Sequence, residues 1–116
     1  LFDALPESLR GRFDVIAANA PYVPSDAIES MPREARVHEP RLTLDGGNDG
    51  VVLHRRIARE AAQWLVPGGI LLIETSQVQV DLTLQAFVDA GLEAEATHDE
   101  EVDGCVVRGV RPVERA

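Results

Sequence analysis

The sequence predicts an α/β fold built on a mostly parallel sheet. Two short apolar runs without polar alternation, Phe13–Ala18 and residues 70–74, are typical of strands covered on both faces. A segment with apolar residues at helical spacing separates these runs, and a second such segment follows them. Because strands that alternate with helices join through right-handed crossovers, these strands are expected to run parallel.

The first predicted strand, Phe13–Ala18, follows a short polar lead-in over residues 1–11 and ends at Asn19. Its consecutive apolar side chains predict burial on both faces of the sheet. Four of the seven prolines then fall between residues 21 and 50, together with several glycines and charges of both signs. This composition predicts a long loop, with one helical turn over residues 26–31 that Ser25 caps.

The first long helix is predicted over residues 50–65, with Asp49 as its N-cap. Pro-Gly-Gly at residues 67–69 is expected to end it. The apolar stripe of this helix consists of Leu53, Ile57, Ala61, Trp64 and Leu65. His54 falls on the other, polar face, which predicts an exposed imidazole, whereas Trp64 is expected in the core.

The rest of the chain continues the alternation and closes with a hairpin. The predicted elements are a strand over residues 70–74, a helix over 78–90, a half-covered strand over 92–98, an acidic turn over 99–104 and a strand over 105–110. The hairpin predicts that the last strand runs antiparallel to the others. Cys105 lies beside Val106 and Val107 in this strand, which predicts a buried, inert thiol.

Composition limits the possible functions. The chain has 116 residues, 45% of them apolar, and 20 acidic against 11 basic side chains for a net charge of −9. This acidity argues against broad attachment to nucleic acid or to an anionic membrane. No apolar run approaches the roughly 20 residues that span a bilayer, and a single Cys suits a reducing cytoplasm. Because the sequence does not begin with Met, we expect it to be a piece of a longer protein.

Two acidic segments invite comparison with cation sites, and neither predicts a metal. Residues 45–50 have the Asp, Asn and Gly of a calcium loop, but Arg56 stands where an EF-hand needs a bidentate Glu. Residues 98–103 contain one His and four acids in a predicted hairpin turn, which is typical of a solvated tip.

The motif that carries chemistry follows the first strand, as Asn19-Ala20-Pro21-Tyr22. Ligands of open parallel sheets bind beyond the carboxyl ends of the strands. There the Asn19 side-chain oxygen and a backbone carbonyl can accept hydrogen bonds from a planar NH₂ group, on which Tyr22 can stack. A nitrogen held in this way is oriented to attack an electrophilic methyl group. The alternative is a simple strand-ending turn, because Asn and Pro are common in turns.

The tetrapeptide resembles the Asn-Pro-Pro-Tyr motif of S-adenosylmethionine-dependent methyltransferases that act on DNA adenine or on a protein glutamine. The wider context is similar to the release-factor glutamine N5-methyltransferase family: His-Glu-Pro-Arg at residues 38–41, Leu-Asp-Gly-Gly-Asn-Asp-Gly at 44–50, Pro-Gly-Gly at 67–69, and Glu74 followed by Gln79. This resemblance extends from about residue 2 to residue 110. It implies the C-terminal half of a Rossmann-like class I methyltransferase fold.

The resemblance also implies a role for each motif residue in methyl transfer to a protein glutamine amide. Asn19 and the Ala20 carbonyl would accept hydrogen bonds from the target amide, and Asn19 would also border the cofactor. Pro21 would shape the turn, Tyr22 would pack against the amide, and the Glu39-Pro40 segment would border the substrate. Residues 1–116 would form the substrate-side half of the catalytic domain, without the glycine-rich half that binds S-adenosylmethionine. The isolated chain is therefore expected to be inactive.

Ala20 departs from the family motif, which has Pro at this position. The turn loses the fixed φ of Pro, which suggests a paralogous subgroup whose protein target differs from a release factor. Two alternatives remain open at this point. One is a nucleic-acid adenine N6-methyltransferase, which would use the same NH₂ clamp on a flipped base. The other is a non-catalytic interaction module that dimerises through the exposed edge of the first strand.

Overall fold

The computed structural model describes residues 2–19, 51–100 and 104–113. After a 3₁₀ turn at Glu7–Leu9, its elements are β1 (Phe13–Ala18), α1 (Val52–Trp64), β2 (Leu65–Thr75), α2 (Val80–Asp89), β3 (Glu93–Asp99) and β4 (Gly104–Val110). The predicted order of strands and helices is confirmed for these residues. The predicted loop over residues 21–50 and its helical turn lie outside them.

The four strands form one mixed sheet in the order β1-β2-β4-β3. β1 pairs parallel with β2, and β4 lies between β2 and β3, antiparallel to both. Three of the four strands therefore point the same way. The prediction of a parallel sheet with an antiparallel final strand is confirmed.

Both helices pack on one face of this sheet. Leu71 and Ile73 of β2 and Val107 of β4 are fully buried there. They form a core cluster with α1 and α2, to which Ile57, Ala58, Ala61, Leu65, Phe87 and Leu92 also belong. Side chains alternate between the two faces of a strand, so the neighbouring positions point away from the helices.

The prediction that β1 is buried on both faces is wrong. Ile16 and Ala18, which pair with the helix-facing Leu71 and Ile73, are half-buried, whereas Val15 is 55% exposed and Ala17 is exposed. In the described part of the sheet β1 is an edge strand, and α1 and α2 cover only one face. An apolar run therefore shows that a strand is able to be buried on both faces. Whether each face is buried depends on the elements that pack against it.

Residues 67–69 were predicted to separate helix and strand, but they lie within β2. This strand begins at Leu65, directly after α1, and its pairing with β1 is irregular between Phe13 and Val15. The Gly68 N–H donates to the Arg111 carbonyl at 2.7 Å, and the Arg111 N–H donates to the Gly69 carbonyl at 2.9 Å. The backbone that follows β4 thus holds the Pro-Gly-Gly segment against the sheet, with Gly68 at a φ of 83° that favours glycine.

The first turn of α1 also differs from the expectation. The helix begins at Val52, and its N-cap is Val51, whose side chain makes no capping hydrogen bond. Asp49, the predicted N-cap, lies outside the described residues. Trp64 at the other end of α1 is 4% exposed, as predicted for a core residue. Among the described residues, no helix has both the length and the apolar character needed to cross a membrane.

Candidate functional site

Asn19 lies at the carboxyl end of β1 and is exposed. The last β1 residue, Ala18, pairs with Ile73, so Asn19 is level with Glu74 on the neighbouring strand. Adjacent strands are about 5 Å apart, which brings Asn19 close to the end of β2. This is the edge at which ligands of open α/β sheets bind. The predicted position of Asn19 at the end of a parallel strand is confirmed, and its chemical role stays a prediction.

The other predicted site residues lie outside the described part of the chain. They are Ala20, Pro21, Tyr22, Glu39 and Pro40. The amide clamp that they are expected to form with Asn19 therefore stays a prediction. The described residues instead define the neighbouring wall of the site, at the end of β2.

A tight turn over residues 76–79 joins β2 to α2 at this wall. The Ser76 hydroxyl donates to Gln79 Oε1 at 2.6 Å, and the Gln79 N–H donates to Ser76 Oγ at 3.2 Å. Gln79, which the family resemblance singled out, is only 6% exposed. Its side chain therefore closes the turn from within the protein. Gln79 is also the residue immediately before α2.

His54 is fully buried, which corrects the prediction of an exposed imidazole. Its Nδ1 lies 3.1 Å from Thr83 Oγ1, and Thr83 Oγ1 lies 3.0 Å from Thr75 Oγ1. Thr75 and Thr83 are buried as well. His54 is three, four and seven residues from the buried Ile57, Ala58 and Ala61, so helical spacing puts it on the core-facing side of α1. There it meets Thr83 of α2. Sequence reasoning missed this cluster, because only the packing of the two helices brings its members together.

A surface cavity of about 420 Å³ opens at the same carboxyl edge, farther along the sheet. Its described walls are Glu74, Asp99, Gly104, Cys105 and Val106. Cys105 is 2% exposed, which confirms the predicted burial of the thiol. Of the acidic turn, Glu100 is exposed, and residues 101–103 lie outside the described part.

Curated relatives match the chain over much of its length. A release factor glutamine methyltransferase from Caulobacter vibrioides is 38% identical over 100 residues, which is 85% of this chain and 35% of that protein. One from Bradyrhizobium diazoefficiens is 49% identical over 72 residues, covering 62% of this chain and 24% of that protein. A ribosomal protein uL3 glutamine methyltransferase from Neisseria meningitidis is 44% identical over 68 residues, covering 59% of this chain and 22% of that protein. No protein-family model matches.

Solved structures share the fold at low sequence identity. A methyltransferase from Pyrococcus furiosus has a TM-score of 0.60 at 13% identity, over 86% of this chain and 41% of that one. The antibiotic-resistance methyltransferase Kmr has a TM-score of 0.53 at 15% identity, over 98% of this chain and 56% of that one. The sheet and its two helices are thus part of a class I methyltransferase fold. The chain spans between a quarter and about a third of the release factor enzymes above, and over the matched residues its sequence is similar to theirs.

Proposed function

We propose that the chain is part of an S-adenosylmethionine-dependent methyltransferase that methylates the side-chain amide nitrogen of a protein glutamine. The observation that carries this proposal is the position of Asn19, exposed at the carboxyl end of β1, in a chain 38% identical over 100 residues to a release factor glutamine methyltransferase. The relatives are named for glutamine, so the adenine alternative and the non-catalytic module are not carried further. The proposal concerns the full-length protein.

The proposed chemistry is the positioning of a weakly nucleophilic amide. The Asn19 side-chain oxygen and the Ala20 carbonyl accept hydrogen bonds from the two N–H groups of the substrate amide, and Tyr22 packs against its flat face. S-adenosylmethionine, when bound, would supply an electrophilic methyl group on sulfur. Held by the Asn19 side chain and the Ala20 carbonyl, the amide nitrogen would take up this methyl group and release one proton to solvent, with the bonding electron pair left on the sulfur. The gain comes mainly from proximity and orientation.

The residues present fit the acceptor side of such a site. Asn19 is exposed, so its amide is accessible to a ligand at the sheet edge. In the proposed site, Pro21 would shape the turn after Asn19, and the Glu39-Pro40 segment would border the protein substrate. We assign residues 1–116 to the C-terminal, substrate-side half of the catalytic domain, with the main cofactor loop elsewhere in the full-length protein. The isolated chain is then inactive, and the protein acts in the cytoplasm.

The substrate is a protein with an accessible glutamine. The relatives are named for release factors and for ribosomal protein uL3, which makes these two proteins the first candidates. Ala20 gives the motif turn more freedom than the Pro of the family pattern. This freedom suits a paralogue with a related protein target.

Asn19→Ala in the full-length protein tests this function. The measurement is transfer of a labelled methyl group to a release factor and to uL3, with the modified residue located by mass spectrometry. We expect transfer to glutamine to fall by roughly 100-fold, because the acceptor amide loses its orientation. The matched control is Gln85→Ala, which removes an exposed amide on α2 that donates a hydrogen bond to Asp89 Oδ1 at 2.8 Å.

Methylation of a glutamine that Asn19→Ala abolishes and Gln85→Ala preserves would support the proposal. Failure of the wild-type protein to methylate any protein glutamine would overturn it. Methyl transfer to adenine, with DNA binding that weakens steeply as salt rises, would also overturn it in favour of the nucleic-acid alternative.

A further inference from the structure

Three polar side chains are buried together where α1, α2 and the end of β2 meet. We call His54, Thr75 and Thr83 the polar cluster; each is at most 1% exposed. Burial of polar groups is costly unless they are hydrogen-bonded to one another. Thr83 Oγ1 is the centre of the cluster, at 3.1 Å from His54 Nδ1 and 3.0 Å from Thr75 Oγ1.

The hydroxyl of Thr83 has a third neighbour, the backbone carbonyl of Gln79 at 3.3 Å. A hydroxyl has one proton to donate and two lone pairs that accept. Because a carbonyl can only accept, all three contacts are satisfied when Thr83 donates to Gln79 and accepts from the Thr75 hydroxyl and from His54 Nδ1–H. This arrangement requires the imidazole of His54 to be protonated at Nδ1.

The polar cluster thereby holds the turn over residues 76–79 at both ends. Thr75 is the last residue of β2, immediately before the turn, and Gln79 is its final residue, immediately before α2. The Ser76–Gln79 side-chain hydrogen bond closes the same turn at 2.6 Å. Asn19 is level with Glu74 on the adjacent strand. The turn therefore begins about two residues, or roughly 7 Å, beyond the level of Asn19 along the strand direction.

We propose that Thr83 is a positioning residue of the methyl-transfer site. Its hydroxyl fixes the turn over residues 76–79 beside Asn19 and so keeps the acceptor side of the site in its reactive geometry. The residue acts through Thr75 and Gln79 and does not touch the substrate. This inference rests on the proposed function, and it adds a residue that the sequence motif does not contain.

Thr83→Val in the full-length protein tests the inference, because Val keeps the shape of Thr and loses the hydroxyl. We expect kcat for glutamine methylation to fall by roughly 10-fold to 100-fold, as a displaced reacting group does, with little change in KM. Thr83→Ser restores the hydroxyl and should restore most of kcat. Thr97→Val, which alters an exposed threonine of β3, is the matched control.

Two further measurements on the same variants do not depend on activity. Amide hydrogen exchange should accelerate at residues 76–83 in Thr83→Val and not in Thr83→Ser or Thr97→Val. The ¹⁵N resonances of His54 should show the Nδ1-protonated form in the wild type and in Thr83→Ser, and a changed form in Thr83→Val. If Thr83 only filled space in the core, both signals would be unchanged in Thr83→Val, because Val has the same shape as Thr.

Loss of kcat together with faster exchange in the turn, both rescued by Ser, would support the inference. Unchanged kcat in Thr83→Val, or a loss of kcat without a change in exchange, would overturn it. Absence of glutamine methylation by the wild type would overturn the proposed function. In that case unchanged exchange and unchanged His54 resonances in Thr83→Val would separately show that Thr83 does not hold the turn.

Discussion

Gly109 of β4 lies directly beneath the ring of Phe87, the largest fully buried side chain of α2. A Cβ atom at position 109 would be 2.4 Å from Phe87 Cδ2 and 3.1 Å from Leu92 Cδ1. Real Cβ contacts are not this short, so the absence of a side chain at this position allows α2 to approach the sheet.

Gly109→Ala is expected to lower the free energy of unfolding by about 1–3 kcal/mol, the range for overpacking a well-packed core. Urea denaturation followed by circular dichroism measures this change. Phe87→Leu removes the ring that the new methyl group meets, so the double variant should lose less stability than the sum of the two single variants. Strict additivity would contradict the proposed clash.

At the scale of elements, residues 2–12 pack against the end of α1 through Trp64. The Phe2 ring stacks on Trp64 with centroids 5.7 Å apart, and the Arg10 guanidinium lies 5.1 Å from the Trp64 ring centroid. Arg10 also forms a salt bridge with Glu7 and donates to Gln63 of α1. The short lead-in predicted from the sequence is therefore attached to the core by one aromatic ring and one cation.

Phe2→Ala and Arg10→Ala should each expose Trp64, whose indole is 4% accessible in the wild type. Trp64 is the single Trp of the chain, so its fluorescence should shift to the red and its quenching by acrylamide should rise. For Arg10→Ala we also expect the free energy of unfolding to fall by about 0.5–1 kcal/mol, the usual contribution of an exposed cation–π contact. Arg12→Ala, at an exposed position, serves as the control, and equal quenching in all four proteins would contradict this account.

At the scale of the whole molecule, the described sheet has one face covered by helices, and β1 is one of its two edge strands. Within the described residues β1 pairs only with β2, and its Val15 is 55% exposed. Val106, on the same face of the sheet but on β4, is 40% exposed. A strand edge and an apolar face of this kind favour pairing with another chain.

We therefore expect the isolated chain to self-associate through β1, as the sequence predicted for its first strand. Val15→Lys should shift the association to higher protein concentration, because a charge at an exposed edge opposes pairing. Val78→Lys is the matched control, since Val78 is 92% exposed in the turn before α2. Static light scattering over a concentration series makes the measurement, and a strictly monomeric wild-type chain at high concentration would contradict the expectation.

The local pattern of the sequence was sufficient for the order of the elements and for the position of the motif. Apolar runs indicated β1 and the later part of β2, helical spacing indicated α1 and α2, and the final hairpin indicated that β4 runs antiparallel. Asn19 was placed at the carboxyl end of β1 for the same reason. These properties depend on side-chain periodicity within one segment, which a single chain displays without its partners.

The sequence by itself determined which segments are strands and helices, their order, and the family that the motif points to. Only the tertiary structure decided the contact of His54 with Thr83, the exposure of Val15 and the inclusion of Pro-Gly-Gly in β2. Each of these depends on a second element: α2 beside α1, the helices on one face of the sheet, and the Arg111 backbone beside Gly68 and Gly69. The physical reason is that periodicity describes one segment, whereas burial and backbone pairing are properties of two segments in contact.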